Sequence, residues 1–165
     1  MPTKNLELKP FDAVAGLLAA HETNDRINHY LIQHLPAEAW RAEPPGGKGR
    51  TVAALFAHIH NVRLMWLKAA GYAGDMPAKL DGDNFSPTAA VAALQSSSAA
   101  LRAVLAASLA GDGKIKGFKP DACSFLAYLF AHDAHHRGQI SMLARQSGHK
   151  LPQGAMFGLW EWGTR

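Results

Sequence analysis

The sequence contains little cysteine and little charge, and it lacks a long uninterrupted apolar run. Only one of its 165 residues is a cysteine, Cys123, which excludes an intrachain disulfide and a cysteine-rich zinc module. Charged residues make up 18% of the chain and hydrophobic ones 48%, a composition that excludes an intrinsically disordered protein. The longest stretch rich in alanine and leucine is interrupted by Gln95, by the serines at 96–98 and by Arg102, so no membrane span is predicted.

Basic residues outnumber acidic ones, but they are scattered. The formal net charge is +4, and the densest basic stretches, 48–50 and 114–119, carry glycine between the charges. No segment has a nucleic-acid-binding signature, so nucleic acid is not a predicted partner. Residues 1–10 are polar and lack the apolar segment of a signal peptide. Together with the free cysteine, this predicts a cytoplasmic protein.

Hydrophobic periodicity is helical almost throughout, and no convincing strand pattern is present. Capping residues and glycines divide the chain into four predicted helices, at about 11–35, 52–70, 87–110 and 120 or 121 to 146. Four helices of this length predict an all-α four-helix bundle that forms a single domain over residues 1–165. The short aromatic tail, 151–162, is expected to pack back on the helices.

The fourth predicted helix carries three histidines in the sequence HDAHH. His132 and His136 are four residues apart and so lie on one face of the helix, where both rings can reach one metal ion. His132 and His135, three residues apart, satisfy the same requirement, and their spacing alone does not choose between the pairs. The neighbouring apolar positions direct His132 and His136 towards the core.

A third imidazole comes from the second helix. Leu55, His58, Val62 and Met65 follow a helical spacing that predicts a core-facing stripe, whereas His60 points away from it. Three histidines are the protein ligand set of a catalytic zinc site, in which the fourth position holds water or substrate. Such a metal lowers the pKa of a bound water or thiol.

Asp133 follows His132 at the position that the acid occupies in the HExxH zinc-protease motif. It is therefore a candidate catalytic base. Because aspartate is one methylene shorter than glutamate, two alternatives stay open. Asp133 is either a solvated carboxylate or a partner for His58 or His135, since carboxylates commonly orient metal-bound histidines.

Three polar residues occupy the buried stripe of the first helix: His21, Asn24 and Asn28. Polar groups at such positions are costly unless they face a wet cavity. They are predicted to form a wall of the pocket that binds the cofactor or substrate, with a drift of the stripe towards the surface as the alternative.

Two segments resemble signatures of the DinB/YfiT-like metal-dependent proteins. The sequence TVAALFAH at 51–58 resembles their second-helix signature. The sequence AHDAHHRGQI at 131–140 resembles their fourth-helix signature, in which an HxxxH pair is followed by Arg-Gly-Gln. The region 24–26 is also similar, more loosely. With the four-helix pattern, the resemblance extends over nearly the whole chain.

The resemblance implies an up-down-down-up bundle, a homodimer, and one divalent metal held by His58, His132 and His136. Zinc is the expected metal, with nickel, manganese and iron as alternatives, because three imidazoles do not select among them. The family includes S-transferases that use a thiol cofactor. We therefore expect an enzyme that conjugates a low-molecular-weight thiol to a small electrophile. The alternatives are a metal-dependent hydrolase and a metal-binding stress-response protein without turnover.

Overall fold

A computed structural model describes residues 10–165, and four long helices form its framework. They are α1 (Ala13–His34), α2 (Val52–Ala70), α3 (Pro87–Ala110) and α4 (Ala122–Gln146), followed by the short α5 (Gln153–Gly158). The predicted all-α bundle is confirmed. Residues 1–9, the greater part of the segment predicted to be polar without a signal peptide, lie outside the described residues.

Local signals set the ends of the four long helices. Asp12, Thr51, Ser86 and Asp121 each accept a hydrogen bond from the backbone N–H three residues further on, which satisfies one of the free donors at a helix start. The fourth helix therefore begins after Asp121. The first helix begins two residues later than predicted, after an exposed Phe11.

Two apolar clusters fix the direction of the helices. The first contains Leu31 from the end of α1 and Ile140 from the end of α4, with Phe56 and Leu94 from the first halves of α2 and α3. The second combines the opposite ends, including Leu67 of α2, Leu101 of α3 and Phe125 of α4. Thus α2 and α3 run antiparallel to α1 and α4, which is the up-down-down-up order. In this order α1 and α2 each pack against both α3 and α4.

A layer of buried polar side chains separates the two apolar clusters. It consists of His21, Asn24, Asp25, Asn28, His60, Arg63, Ser97, Ser98, Asp133 and His136. Burying polar groups is costly unless they are paired, so the hydrogen bonds within this layer decide whether the middle of the bundle is stable.

The third helix is long and apolar enough to cross a membrane by length and composition alone. In the bundle it packs against α1 and α2, and Leu94, Leu101 and Leu105 on its inner face are fully buried. The inner face of this helix is therefore part of the core of the bundle.

The C-terminal segment folds back on the bundle, as the aromatic tail was expected to do. Leu151 and Ala155 are buried, and the Arg165 guanidinium lies 3.8 Å from the centre of the Tyr30 ring on α1. Trp160, by contrast, is 80% exposed.

Candidate metal centre

Three histidines from two helices meet at one side of the polar layer. His58 of α2 and His132 and His136 of α4 each offer a ring nitrogen, and these three atoms lie within 4.8 Å of one another. His136 is buried, whereas His58 and His132 are partly exposed, so the cluster lies at the edge of the core and not at its centre. The three residues are those that the sequence assigns to the metal.

The separation of the ring nitrogens fits a shared metal ion. The Nε2 atoms of His132 and His136 are 3.2 Å apart. Two nitrogens bound to one zinc ion at about 2.0–2.1 Å with a tetrahedral angle would be separated by roughly 3.3 Å. The third ring, that of His58, lies with its centre 4.6 Å from that of His136 and 5.3 Å from that of His132. The residues present therefore fit a divalent metal.

Gln139 fixes which nitrogen His136 offers. Its Oε1 is 2.7 Å from His136 Nδ1, and because a carbonyl oxygen only accepts, Nδ1 donates the hydrogen. The Nε2 atom then carries a lone pair directed at His132. Partners of this kind commonly hold the ring and tautomer of a metal-binding histidine.

The His58 imidazole is held in its neutral form. Partial burial lowers its pKa to about 4, with contributions from Arg50 and from the other two histidines. Burial also lowers the pKa of His136, although its hydrogen bond to Gln139 acts in the opposite direction. Neutral imidazoles are the form that binds metals, so both rings are ready for ligation at neutral pH.

Asp133 is buried beneath this cluster and is already hydrogen bonded. Its Oδ2 accepts from Arg63 at 2.8 Å, from Asn28 at 2.8 Å and from Asn24 at 2.9 Å. Its Oδ1 lies 3.7 Å from His132 Nδ1. Burial alone would raise the pKa of this carboxyl, but the Arg63 guanidinium and the hydrogen bonds hold it well below its usual range. Asp133 is thus a fixed anion next to His132, whereas the sequence had suggested His58 or His135 as its partner.

Arg63 is the residue of this region that sequence reasoning missed. It is buried, and it also donates to Asp25 Oδ1 at 2.7 Å and so joins two buried carboxylates. Burial alone would lower its pKa, but Asp133 and Asp25 raise it. The signal that could have found it is a second stripe on α2 in which Phe56, Arg63 and Leu67 follow helical spacing.

The buried face of α2 differs from the predicted one, because it follows the stripe that contains Arg63. Met65, expected in the core stripe, is 51% exposed, and the buried face contains Phe56 and Ile59. His60, expected to point away from the core-facing stripe, is fully buried. Its ring nitrogens lie 3.1 Å from Ser97 Oγ and 2.8 Å from the carbonyl oxygen of residue 78, so it is a paired core histidine.

The three polar residues of α1 are buried, and their assignment to one wall of a ligand pocket stays a prediction. Asn24 and Asn28 donate to Asp133, and Asn28 also accepts from Arg137 at 2.8 Å. His21 is buried, and its Nδ1 has no hydrogen-bond partner within residues 10–165. Asn24 lines a cavity between α4 and the C-terminal segment.

Comparison with known proteins identifies the family. The model of the DinB family matches residues 1–162. The solved structure of a DinB-like protein from Bacillus cereus ATCC 10987 is similar, with a TM-score of 0.64 and 22% identity, over 84% of this chain and 95% of that one. At this identity the similarity shows the fold alone. Curated proteins give no significant match. Because the family model covers nearly the entire sequence, the chain belongs to the DinB family.

Proposed function

We propose that the protein is a divalent-metal-dependent enzyme that transfers a low-molecular-weight thiol to a small electrophile. The observation that carries this proposal is the set of three imidazoles, His58, His132 and His136, with no fourth His, Cys or carboxylate ligand grouped with them among residues 10–165. Structural zinc sites are closed by four protein ligands, whereas catalytic sites keep one position open. When bound there, a divalent metal would lower the pKa of a coordinated thiol and hold its thiolate.

The chain's own residues would orient the ligands and attract the reactants. Gln139 holds the His136 ring, and the Asp133 carboxylate faces His132. Arg50 is close enough to lower the pKa of both His58 and His136, and it lines a cavity of about 620 Å³ together with His135 and Gln139. An exposed guanidinium beside this cavity favours reactants that carry a carboxylate.

At the electrophilic carbon, the reaction would form one bond and break one. The sulfur of the thiol bonds to an electrophilic carbon, the leaving group departs with its bonding electron pair, and the thiol proton passes to solvent. The cytoplasmic location, the homodimer and zinc as the metal stay predictions of the sequence.

Metal content tests the ligand set. We expect the purified protein to bind about one equivalent of metal per chain, and His58→Ala, His132→Ala and His136→Ala each to lose most of it. The matched control is His135→Ala, which removes an exposed histidine from the same helix and should retain the metal. Stoichiometric metal in all three ligand variants, measured by plasma mass spectrometry, would refute the assignment of these histidines as metal ligands.

Substrate depletion tests the activity. The metal-loaded protein is incubated with a panel of electrophiles, with and without low-molecular-weight thiols, and the products are identified by mass spectrometry. Conjugates that require both protein and thiol support the transferase. Thiol-independent depletion points to the hydrolase, and metal binding with no depletion of any electrophile points to the non-catalytic alternative.

A further inference from the structure

A second cavity lies on the face of α4 opposite the three histidines. It occupies about 430 Å³ between α4 and the C-terminal segment, within the range of small-molecule sites. Ala134 and Ser141 on its wall are rotated by roughly 160–200° around the helix from His132. The cavity is therefore separate from the proposed metal centre.

The lining of this cavity is apolar, and its exposed aromatic residues are unusual for a solvent-facing surface. Phe130, Leu159, Trp160 and Trp162 contribute to the wall, and Trp160 and Trp162 are exposed. Exposed apolar groups gathered around a concavity commonly mark a binding site. The two tryptophans belong to the aromatic tail that was expected to pack on the helices, and they border this cavity.

The charged groups of the cavity are cationic. Arg137 and Arg145 line it, and no acidic residue is among its described lining. Arg137 is partly buried, and the one hydrogen bond that its side chain makes among residues 10–165 is to the neutral Asn28 side chain. The guanidinium groups therefore keep N–H donors available to an anion, with a low-dielectric wall that strengthens such a contact.

Asn24 adds an unpaired acceptor to the same wall. Its side chain is buried, its Nδ2 is used by Asp133, and its Oδ1 has no hydrogen-bond partner among the described residues. A buried acceptor without a partner costs about 1–3 kcal/mol, so a ligand donor at this position would be stabilising.

We propose that this cavity binds a small amphipathic anion. The ligand has an aromatic or other apolar body, one carboxylate or sulfonate group that pairs with Arg137 and Arg145, and one N–H or O–H group that donates to Asn24. A charge-assisted pair of this kind distinguishes the anion from a neutral molecule of the same shape. The proposal rests neither on a bound metal nor on the proposed transferase activity.

Two fluorescent probes of the same ring system test the proposal. Anilinonaphthalene sulfonate has an aromatic body, an N–H group and one anionic group, and phenylnaphthylamine lacks the sulfonate. We expect the sulfonate probe to bind the metal-free, folded protein at one site. Arg145→Gln and Arg137→Gln should each weaken it roughly tenfold or more and leave the affinity for the neutral probe unchanged. Circular dichroism checks that both variants fold, and Arg145 is exposed, so its removal leaves the core intact.

A blocking variant locates the bound probe. Ala134→Trp fills the cavity from an exposed position of α4 and should abolish binding of both probes, whereas Ala127→Trp, exposed two turns earlier on the same helix, should leave both unchanged. Full binding to Ala134→Trp would overturn the proposal, as would equal loss of both probes in the arginine variants. The proposal would also be overturned if light scattering shows a dimer and the dimer binds the sulfonate probe only after it dissociates. In that case a second copy of the chain would cover the cavity.

Discussion

Arg63 is the residue on which the polar layer of the bundle depends. It is buried between two carboxylates, with nitrogen–oxygen distances of 2.7 Å to Asp25 and 2.8 Å to Asp133. Removing one member of a buried pair leaves the other charge without compensation, which costs far more than the pair itself contributes. Here one arginine compensates two aspartates, so its loss would leave two uncompensated anions in the core.

Replacement of Arg63 should therefore destabilise the fold strongly. We expect Arg63→Met to lower the free energy of unfolding by about 3–5 kcal/mol, measured by urea denaturation at neutral pH. Arg102→Met is the control, because Arg102 pairs with Glu22 at the surface and such a pair contributes at most about 1 kcal/mol. Equal effects of the two substitutions would mean that the buried pairs are not needed for stability.

The substitution Asp133→Asn distinguishes two roles of Asp133: a catalytic base, and a residue that positions His132. Because Oδ2 is fully engaged and Oδ1 lies beside His132, we expect metal affinity to fall about 10–100-fold, while thiol-dependent turnover at saturating metal is retained. Competition with a chromophoric chelator measures the affinity. A hydrolase that uses Asp133 as its base would instead lose thiol-independent turnover at saturating metal.

At the scale of the helix, the sequence predicts where elements begin and end better than which face is buried. Helix ends depend on local chemistry, such as the Thr51 hydroxyl that accepts from the backbone N–H of residue 54. The buried face of α2 depends on its neighbours. Two stripes on that helix have helical spacing. The prediction of a stripe with Met65 is wrong, because an arginine such as Arg63 is typical of the surface unless its buried aspartate partners are known.

The prediction of the three histidines depends less on the choice of the buried face than the prediction of the core does. His132 and His136 are linked by helical spacing alone, and the resemblance of the Arg-Gly-Gln segment to a known motif favours His136 over His135. Gln139 was part of that motif, but its hydrogen bond to His136 requires the side-chain conformation and was not predicted. The partners of Asp133 come from α1 and α2, and no spacing within α4 could reveal them.

Gly138 offers a test of helix energetics within α4. A Cβ atom at this position would meet nothing within 4 Å, so Gly138→Ala should raise the free energy of unfolding by roughly 0.5–1 kcal/mol through helix propensity. Gly117→Ala is the opposite case, because φ is +83° and the new Cβ would approach the Ala69 Cβ at 3.0 Å. Thermal unfolding should show a higher Tm for the first and a lower one for the second. A lower Tm for Gly138→Ala would contradict the expectation that the added methyl group meets no neighbouring atom.

Across the whole molecule, alternation of apolar and polar layers specifies how the helices align. The apolar clusters at either end would tolerate a helix shifted along its axis, since one aliphatic contact can replace another. The polar layer would not tolerate such a shift. Moving a helix by one turn separates Arg63 from both Asp25 and Asp133 and leaves three buried charges unpaired. The same layer keeps Asp133 directly beneath His132, so the register of the bundle and the shape of the candidate metal centre are set together.

Burial of imidazoles makes the stability of the whole bundle depend on pH. Burial, with a contribution from Arg63, lowers the pKa of His21 from its ordinary value of 6.5 to about 4, and burial also lowers the pKa of His29 and His60. Between pH 6.5 and pH 4, His21 binds a proton in the unfolded chain but not in the folded chain. The free energy of unfolding therefore falls as the pH falls from 6.5 to 4. For His21 alone the loss is about 3 kcal/mol over this range. Urea denaturation of the metal-free protein should show this decline, and His21→Gln should reduce its slope. Equal slopes in the two proteins would mean that His21 takes up its proton without unfolding.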